Sequence, residues 1–153
     1  MAQAMPRVQL ETGPNPEHCV IWLHGLGADG YDFIPIVRAL EEFGVGPTRF
    51  VFPHAPKIPV SINGGYVMRA WYDIKNADLM REEDAQGIKD SATSILELID
   101  EQIEQGFDSQ NIVLAVAHVP CLLGGLPTHT CSQQQFLRPN DAPFLKQWKL
   151  ETR

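Results

Sequence analysis

The chain has 153 residues, 44% of them hydrophobic and 20% charged. That is enough to bury the core of one domain, and the profile is that of a globular chain rather than a disordered one. A net charge of −7 offers no surplus of cations to neutralise phosphates, which argues against a nucleic-acid partner. Three cysteines, an odd number at irregular spacing, argue against a disulfide framework and fit a reducing compartment. The opening residues lack the apolar core of a signal peptide, and no run approaches the length of a membrane span. The expectation by default is a cytoplasmic protein.

Arg7 to Leu10 can form a short first strand, and residues 12–17 (TGPNPE) are a turn by composition. Val20-Ile21-Trp22-Leu23 is a continuous apolar run, as expected of a strand buried on both faces of a sheet. It runs into His24-Gly25-Leu26-Gly27. Asp32 is the expected helix N-cap, with Pro35 tolerated in the first turn. Phe33, Ile36, Val37 and Leu40 then share one helical face, and Gly44 suits the stop.

Arg49 to Phe52 is a further strand, stopped by Pro53. Residues 53–73 make a long excursion rich in proline and glycine. A second helix is expected from about Asp84, its cap, to Gln105, with Ile88, Ala92, Ile95, Ile99 and Ile103 on its apolar face and Gly106 as its stop. Asn111 to Ala115 (NIVLA) is another strand of the buried type. Strands alternating with helices imply an α/β domain with a mainly parallel sheet and flanking helices.

After Ala115 the pattern breaks. Residues 116–153 show no useful helical or strand periodicity and hold two of the three cysteines and four of the twelve prolines. They carry four Lys+Arg against two Asp+Glu, whereas residues 1–115 carry eight against seventeen. The chain therefore divides into a patterned part, 1–115, and a divergent tail, 116–153, expected to be irregular.

Four blocks in the patterned part carry a resemblance: VIWLHGLGADGYDF at 20–33, RFVFPHAP at 49–56, INGGYVMRAWYDI at 62–74 and NIVLA at 111–115. In this order and spacing they resemble the phospholipase/carboxylesterase family, small α/β-hydrolases that include carboxylesterases and acyl-protein thioesterases. The resemblance implies a partial α/β-hydrolase fold, truncated after the strand that normally leads to the nucleophile. It implies hydrolysis of a small acyl ester or thioester by serine, aspartate and histidine, without cofactor or metal.

Residue by residue, the resemblance makes the Leu26 N–H one donor of the oxyanion hole, within the turn His24, Gly25, Leu26, Gly27. A glycine-rich turn after a buried strand lets a backbone donor approach a developing oxyanion. Met68, Trp71 and Tyr72 would help form the acyl-binding wall, although a core aromatic is the competing reading of Trp71.

The departure from the family is as informative. The family follows NIVLA with a GxSxG elbow that exposes the serine. Here the place reads Val116-Ala117-His118-Val119-Pro120. None of the five serines (Ser61, Ser91, Ser94, Ser109, Ser132) has glycine two before and two after, and none of the cysteines does. No catalytic residue is assigned, because the acid and base follow the elbow in this family's chain order. His24 and His54 are expected to be structural, and Asp73 to bond loop N–H groups. His118, Cys121, His129 and Cys131 contain zinc-binding residue types, but their irregular spacing supports no metal site.

Two functions remain. One is an ester or thioester hydrolase by family that is inactive as it stands. The other is a non-catalytic module that binds an acyl chain or docks on a homologue. An open sheet edge would favour self-association.

Overall fold

A computed structural model describes residues 5–76 and 84–116 and the backbone of 135–137. Its centre is a five-stranded sheet of β1 (Arg7–Glu11), β2 (His18–Leu23), β3 (Thr48–Pro53), β6 (Ile112–Val116) and β7 (Gln135–Leu137), in the order β1-β3-β2-β6-β7. The three inner strands run parallel, with Val20 opposite both Phe50 and Val113. β1 and β7 are antiparallel edges, on β3 and β6 respectively.

The apolar runs are continuous because both faces of the inner strands are covered. Side chains alternate across a strand. Cys19 and Ile21 of β2, Val51 of β3 and Ile112 and Leu114 of β6 therefore point to one face, where helix α2 (Ala85–Glu104) supplies Ile95, Leu98 and Ile99. Trp22, Phe50, Phe52 and Ala115 point to the other, against Val37 of helix α1 (Ile34–Glu42). There the Trp22 ring stacks on Phe33 at 5.2 Å between centroids, and Phe33 on Phe52 at 5.9 Å. The burial of these aromatic rings orders the α1 side of the sheet.

Phe33, Ile36, Val37 and Leu40 pack on that side as their spacing predicts. The start of this helical segment differs from expectation. Asp29, not Asp32, is the cap: its Oδ1 accepts from the Tyr31 N–H at 2.8 Å, while Asp32 Oδ2 accepts back from the Asp29 N–H at 2.9 Å. The pair is a reciprocal capping box that opens a short 3₁₀ turn, Gly30–Phe33, ahead of α1. Pro35 then sits in the first turn of α1, where it forfeits no hydrogen bond.

Asp84 caps α2 as expected, its Oδ1 accepting from the Gly87 N–H at 3.0 Å. The buried face of α2 is rotated from the predicted one. Leu98 and Gln102 are buried, while Ile103 is 40% exposed. Isoleucine periodicity alone marked one edge of the stripe rather than its centre. Arg7 of β1 and Glu101 of α2 form an ion pair that ties this helix to the sheet edge. Arg49 adds a bond to Gln102 at 3.1 Å and lies over the Phe107 ring, with its guanidinium carbon 4.7 Å from the centroid.

The excursion after β3 is not wholly irregular. It holds a two-stranded antiparallel hairpin, β4 (Lys57–Val60) and β5 (Tyr66–Arg69). Gly64 and Gly65 turn it with φ of 66° and 80°, a region where other residues are strained. Of the divergent tail, Val116, which ends β6, and the backbone of β7 are described. Its pairing covers Leu114 to Val116. The remaining tail, with its four histidine and cysteine positions, lies outside the described residues.

Candidate functional site

The turn after β2 is built by its own histidine. His24 is 1% exposed. Its Nε2 accepts from the Ala55 N–H at 3.0 Å, and its Nδ1 lies 2.8 Å from the Gly25 carbonyl. The amide can only donate and the carbonyl can only accept. The proton is therefore on Nδ1 and the ring is neutral. Burial pushes its pKa below the usual histidine value, opposed in part by the bond to Gly25. His24 thus uses both ring nitrogens on the backbone around the turn.

The rest of the turn is equally tied. The Gly27 N–H donates to the Arg69 carbonyl at 2.9 Å, joining the turn to β5, and the Ala28 N–H donates to Gly25 at 3.2 Å. Gly27 has φ of 74°, which calls for glycine. The Leu26 N–H immediately precedes these two engaged donors and has no acceptor among the described residues. A fixed backbone donor without a partner is what an oxyanion would need.

Two of the three expected wall residues, Met68 and Trp71, touch this turn, and they play different parts. The Met68 sulfur lies 3.7 Å from where a Cβ on Gly27 would stand. The Trp71 Nε1–H donates to the His24 carbonyl at 2.8 Å, and its ring centroid is 5.3 Å from that of His24. The same indole packs partly against the α2-side core, and the Ser91 hydroxyl donates to the Trp71 carbonyl. Trp71 is therefore a brace between turn and helix. Tyr72 is half-buried next to it.

Asp73 anchors the hairpin. Its carboxylate accepts from the Ser61 N–H at 2.7 Å and from the Ser61 hydroxyl at 2.6 Å. Its own N–H donates to Asp84 Oδ2 at 2.9 Å. Asp84 thereby serves α2 and the loop together, and these two backbone bonds hold its carboxyl below the usual range.

Sequence reasoning missed Arg69, whose Nη1 donates to the Ala55 carbonyl at 2.8 Å. It also missed Gly30, where a Cβ would stand 2.6 Å from the Phe52 carbonyl oxygen. The capping aspartate could have been found, since Asp29 and Asp32 have the three-residue spacing of a capping box. Among the described residues no group of three or more histidine, cysteine, aspartate or glutamate side chains could hold a metal. No helix among them is long and apolar enough to cross a membrane.

Comparison with known proteins bears on the same residues. A model of the phospholipase/carboxylesterase family matches residues 5–115. Acyl-protein thioesterase 1 of Cryptococcus neoformans is 36% identical over 110 residues, 69% of this chain and 46% of that protein. Acyl-protein thioesterase 1 of Schizosaccharomyces pombe is 38% identical over 104 residues, 68% of this chain and 46% of that protein. The crystal structure of Arabidopsis thaliana SOBER1 superposes with a TM-score of 0.58 at 28% identity, covering 65% of this chain and 48% of that one. The Zea mays acyl-protein thioesterase 2 structure has a TM-score of 0.58 at 24% identity, covering 74% and 46%, and supports the fold alone. The chain spans about half the length of the curated relatives it matches.

Proposed function

The chain belongs to the phospholipase/carboxylesterase family, and from that premise we propose that it carries the oxyanion turn and acyl wall of an ester or thioester hydrolase but does not itself hydrolyse substrate. The substrate class is a small acyl ester or thioester, consistent with the thioesterase names of its relatives. Leu26 is the proposed oxyanion donor, and Met68, Trp71 and Tyr72 the proposed wall. The chemistry calls for no cofactor or metal, and the proposed setting is cytoplasmic.

One observation carries the reading of inactivity. The family match ends at residue 115, and Val116 to Pro120 contain neither the serine nor the glycines of the elbow. A strand that delivers no nucleophile leaves an oxyanion donor with nothing to stabilise. Loss of the serine costs roughly a million-fold in turnover in a serine protease. The test is hydrolysis of p-nitrophenyl acyl esters and of an acyl thioester by the purified chain. The expected result is no rate above buffer. A measurable rate lost in Cys121→Ala would assign an alternative nucleophile and overturn the proposal.

A non-catalytic module is the second reading. It is favoured by β6, whose β7 pairing begins only at Leu114. A sheet edge beside β6 would take a second copy or a homologue. Light scattering across a concentration series tests it, with a concentration-independent monomer counting against docking.

A further inference from the structure

We propose that His24 and His54 are paired positioning residues, neutral backbone acceptors in opposite tautomers that latch the turn after β2 onto the end of β3, and that their protonation in mild acid releases the turn. This goes beyond the hydrolase reading and does not depend on it.

The two rings face the same connection from opposite sides. His24, at the end of β2, reaches across to the Ala55 N–H just past β3. His54, just past β3, reaches back: its Nδ1 accepts from the Gly30 N–H at 3.1 Å. The His54 backbone is fixed in turn by its own N–H, which donates to the Pro6 carbonyl at 2.8 Å. Each ring thus uses one lone pair to hold an amide on the other side of the connection. For His24 the accepting nitrogen is Nε2, so its proton is on Nδ1. For His54 the accepting nitrogen is Nδ1, so its proton is on Nε2.

Protonation would convert each accepting nitrogen into a donor aimed at an N–H. Two donors cannot share one hydrogen bond, and the buried amide would lose its partner. Gly30 makes the latch tight, because its Cα approaches the Phe52 carbonyl and the His54 ring more closely than a side chain would allow. The interval from His24 to Gly30 includes Leu26, so release of either ring loosens the donor-bearing turn, which keeps its Gly27–Arg69 and Trp71–His24 bonds.

The charges around the pair favour the neutral state on balance. Burial is the largest influence on both rings, and Arg69 on β5 lowers both further. The two rings also disfavour each other's charge at His24, while Asp29 works in the opposite direction on both. The neighbours from other segments are aromatic: the Trp71 ring at His24 and the Tyr31 ring 5.4 Å from His54. An unfolded chain with ordinary imidazoles near 6.5 takes up protons before the folded one does. Stability is therefore complete above about pH 6.5 and declines as pH falls from there through the lower folded values.

The experiment is a pH titration of the ¹⁵N-labelled full chain from pH 7.5 to 5, reading imidazole and amide resonances. At pH 7.5 His24 is expected to show the Nδ1–H form and His54 the Nε2–H form. Both should titrate below 6.5, with the Ala55 and Gly30 amide protons moving at the same midpoints. A shared tautomer, titration at 6.5 or above, or Ala55 and Gly30 amides indifferent to the imidazoles would overturn the proposal. Thermal unfolding of the His24→Gln, His54→Asn double variant supplies the second reading, since both replacements offer an acceptor and neither titrates. The loss of Tm between pH 7 and 5 should shrink relative to the unsubstituted chain. An equal loss in the two proteins would overturn the latch even if the tautomers are as expected.

Discussion

The turn after β2 and the β4–β5 hairpin are neighbouring, glycine-bearing connections, joined where the Gly27 N–H meets the Arg69 carbonyl. They are held by different means. The turn is clamped from within by two buried rings and a half-buried one: His24, His54 and Trp71 each contribute a hydrogen bond to or from backbone. The hairpin stands in water, with Tyr66 71% and Val67 56% exposed, and is anchored at its foot by Asp73. Even their glycines differ. Gly30 is needed because of what surrounds it, whereas Gly64 has nothing within 4 Å and is needed only for its φ. A glycine-rich stretch in a sequence can therefore mark close packing in one place and local backbone geometry in another.

Four substitutions sharpen or break this contrast. Gly30→Ala should have the largest effect, because its Cβ would stand 2.6 Å from backbone oxygen and 3.0 Å from the Phe52 Cβ. A destabilisation of about 3 kcal/mol, the upper range for overpacking, is expected in urea denaturation. Asp73→Ala should cost about 1–2 kcal/mol by the same measurement, since it strands the Ser61 donors in a partly solvated place. Hydrogen exchange at Ser61 should rise while exchange at Ala55 stays the same. Gly64→Ala has room for the methyl group but keeps a left-handed φ, so about 1 kcal/mol is expected. A cost equal to that of Gly30→Ala would erase the distinction between packed and merely bent glycine. Tyr66→Ser should change stability by no more than about 0.5 kcal/mol, as exposed positions usually do. A larger loss in thermal unfolding would mean that the hairpin tip is packed rather than solvated.

Most of the fold was legible because its signals are local. The runs in β2, β3 and β6 read as buried strands, and Asp84 and Gly106 bracket α2 as cap and stop. The capping residue ahead of α1 was misplaced by three positions because Asp29 and Asp32 both have the chemistry of a cap, and only the bond directions separate them. The hairpin was missed because β4 and β5 are four residues each, too short for alternation to stand out, and β4 contains Pro59. Ile103 was assigned to the buried face because it continues an isoleucine repeat, yet Gln102 occupies the core position beside Cys19. A glutamine there is legible only when the Arg49 that binds it is seen to arrive from β3.

The sequence by itself determined the alternation of strands and helices, the family resemblance, and the absence of a GxSxG elbow after β6. Those depend on residue type and spacing along one stretch of chain. Only the tertiary structure decided which lone pairs the histidines use, that Trp71 braces rather than floats, and that the Leu26 N–H has no acceptor among the described residues. Each of those facts needs partners distant in the chain, such as Ala55 at 31 and Trp71 at 47 residues from His24, that are adjacent once the sheet forms. Hydrogen bonds depend on distances of a few tenths of an ångström and on direction, and neither is encoded in a pattern of residue types.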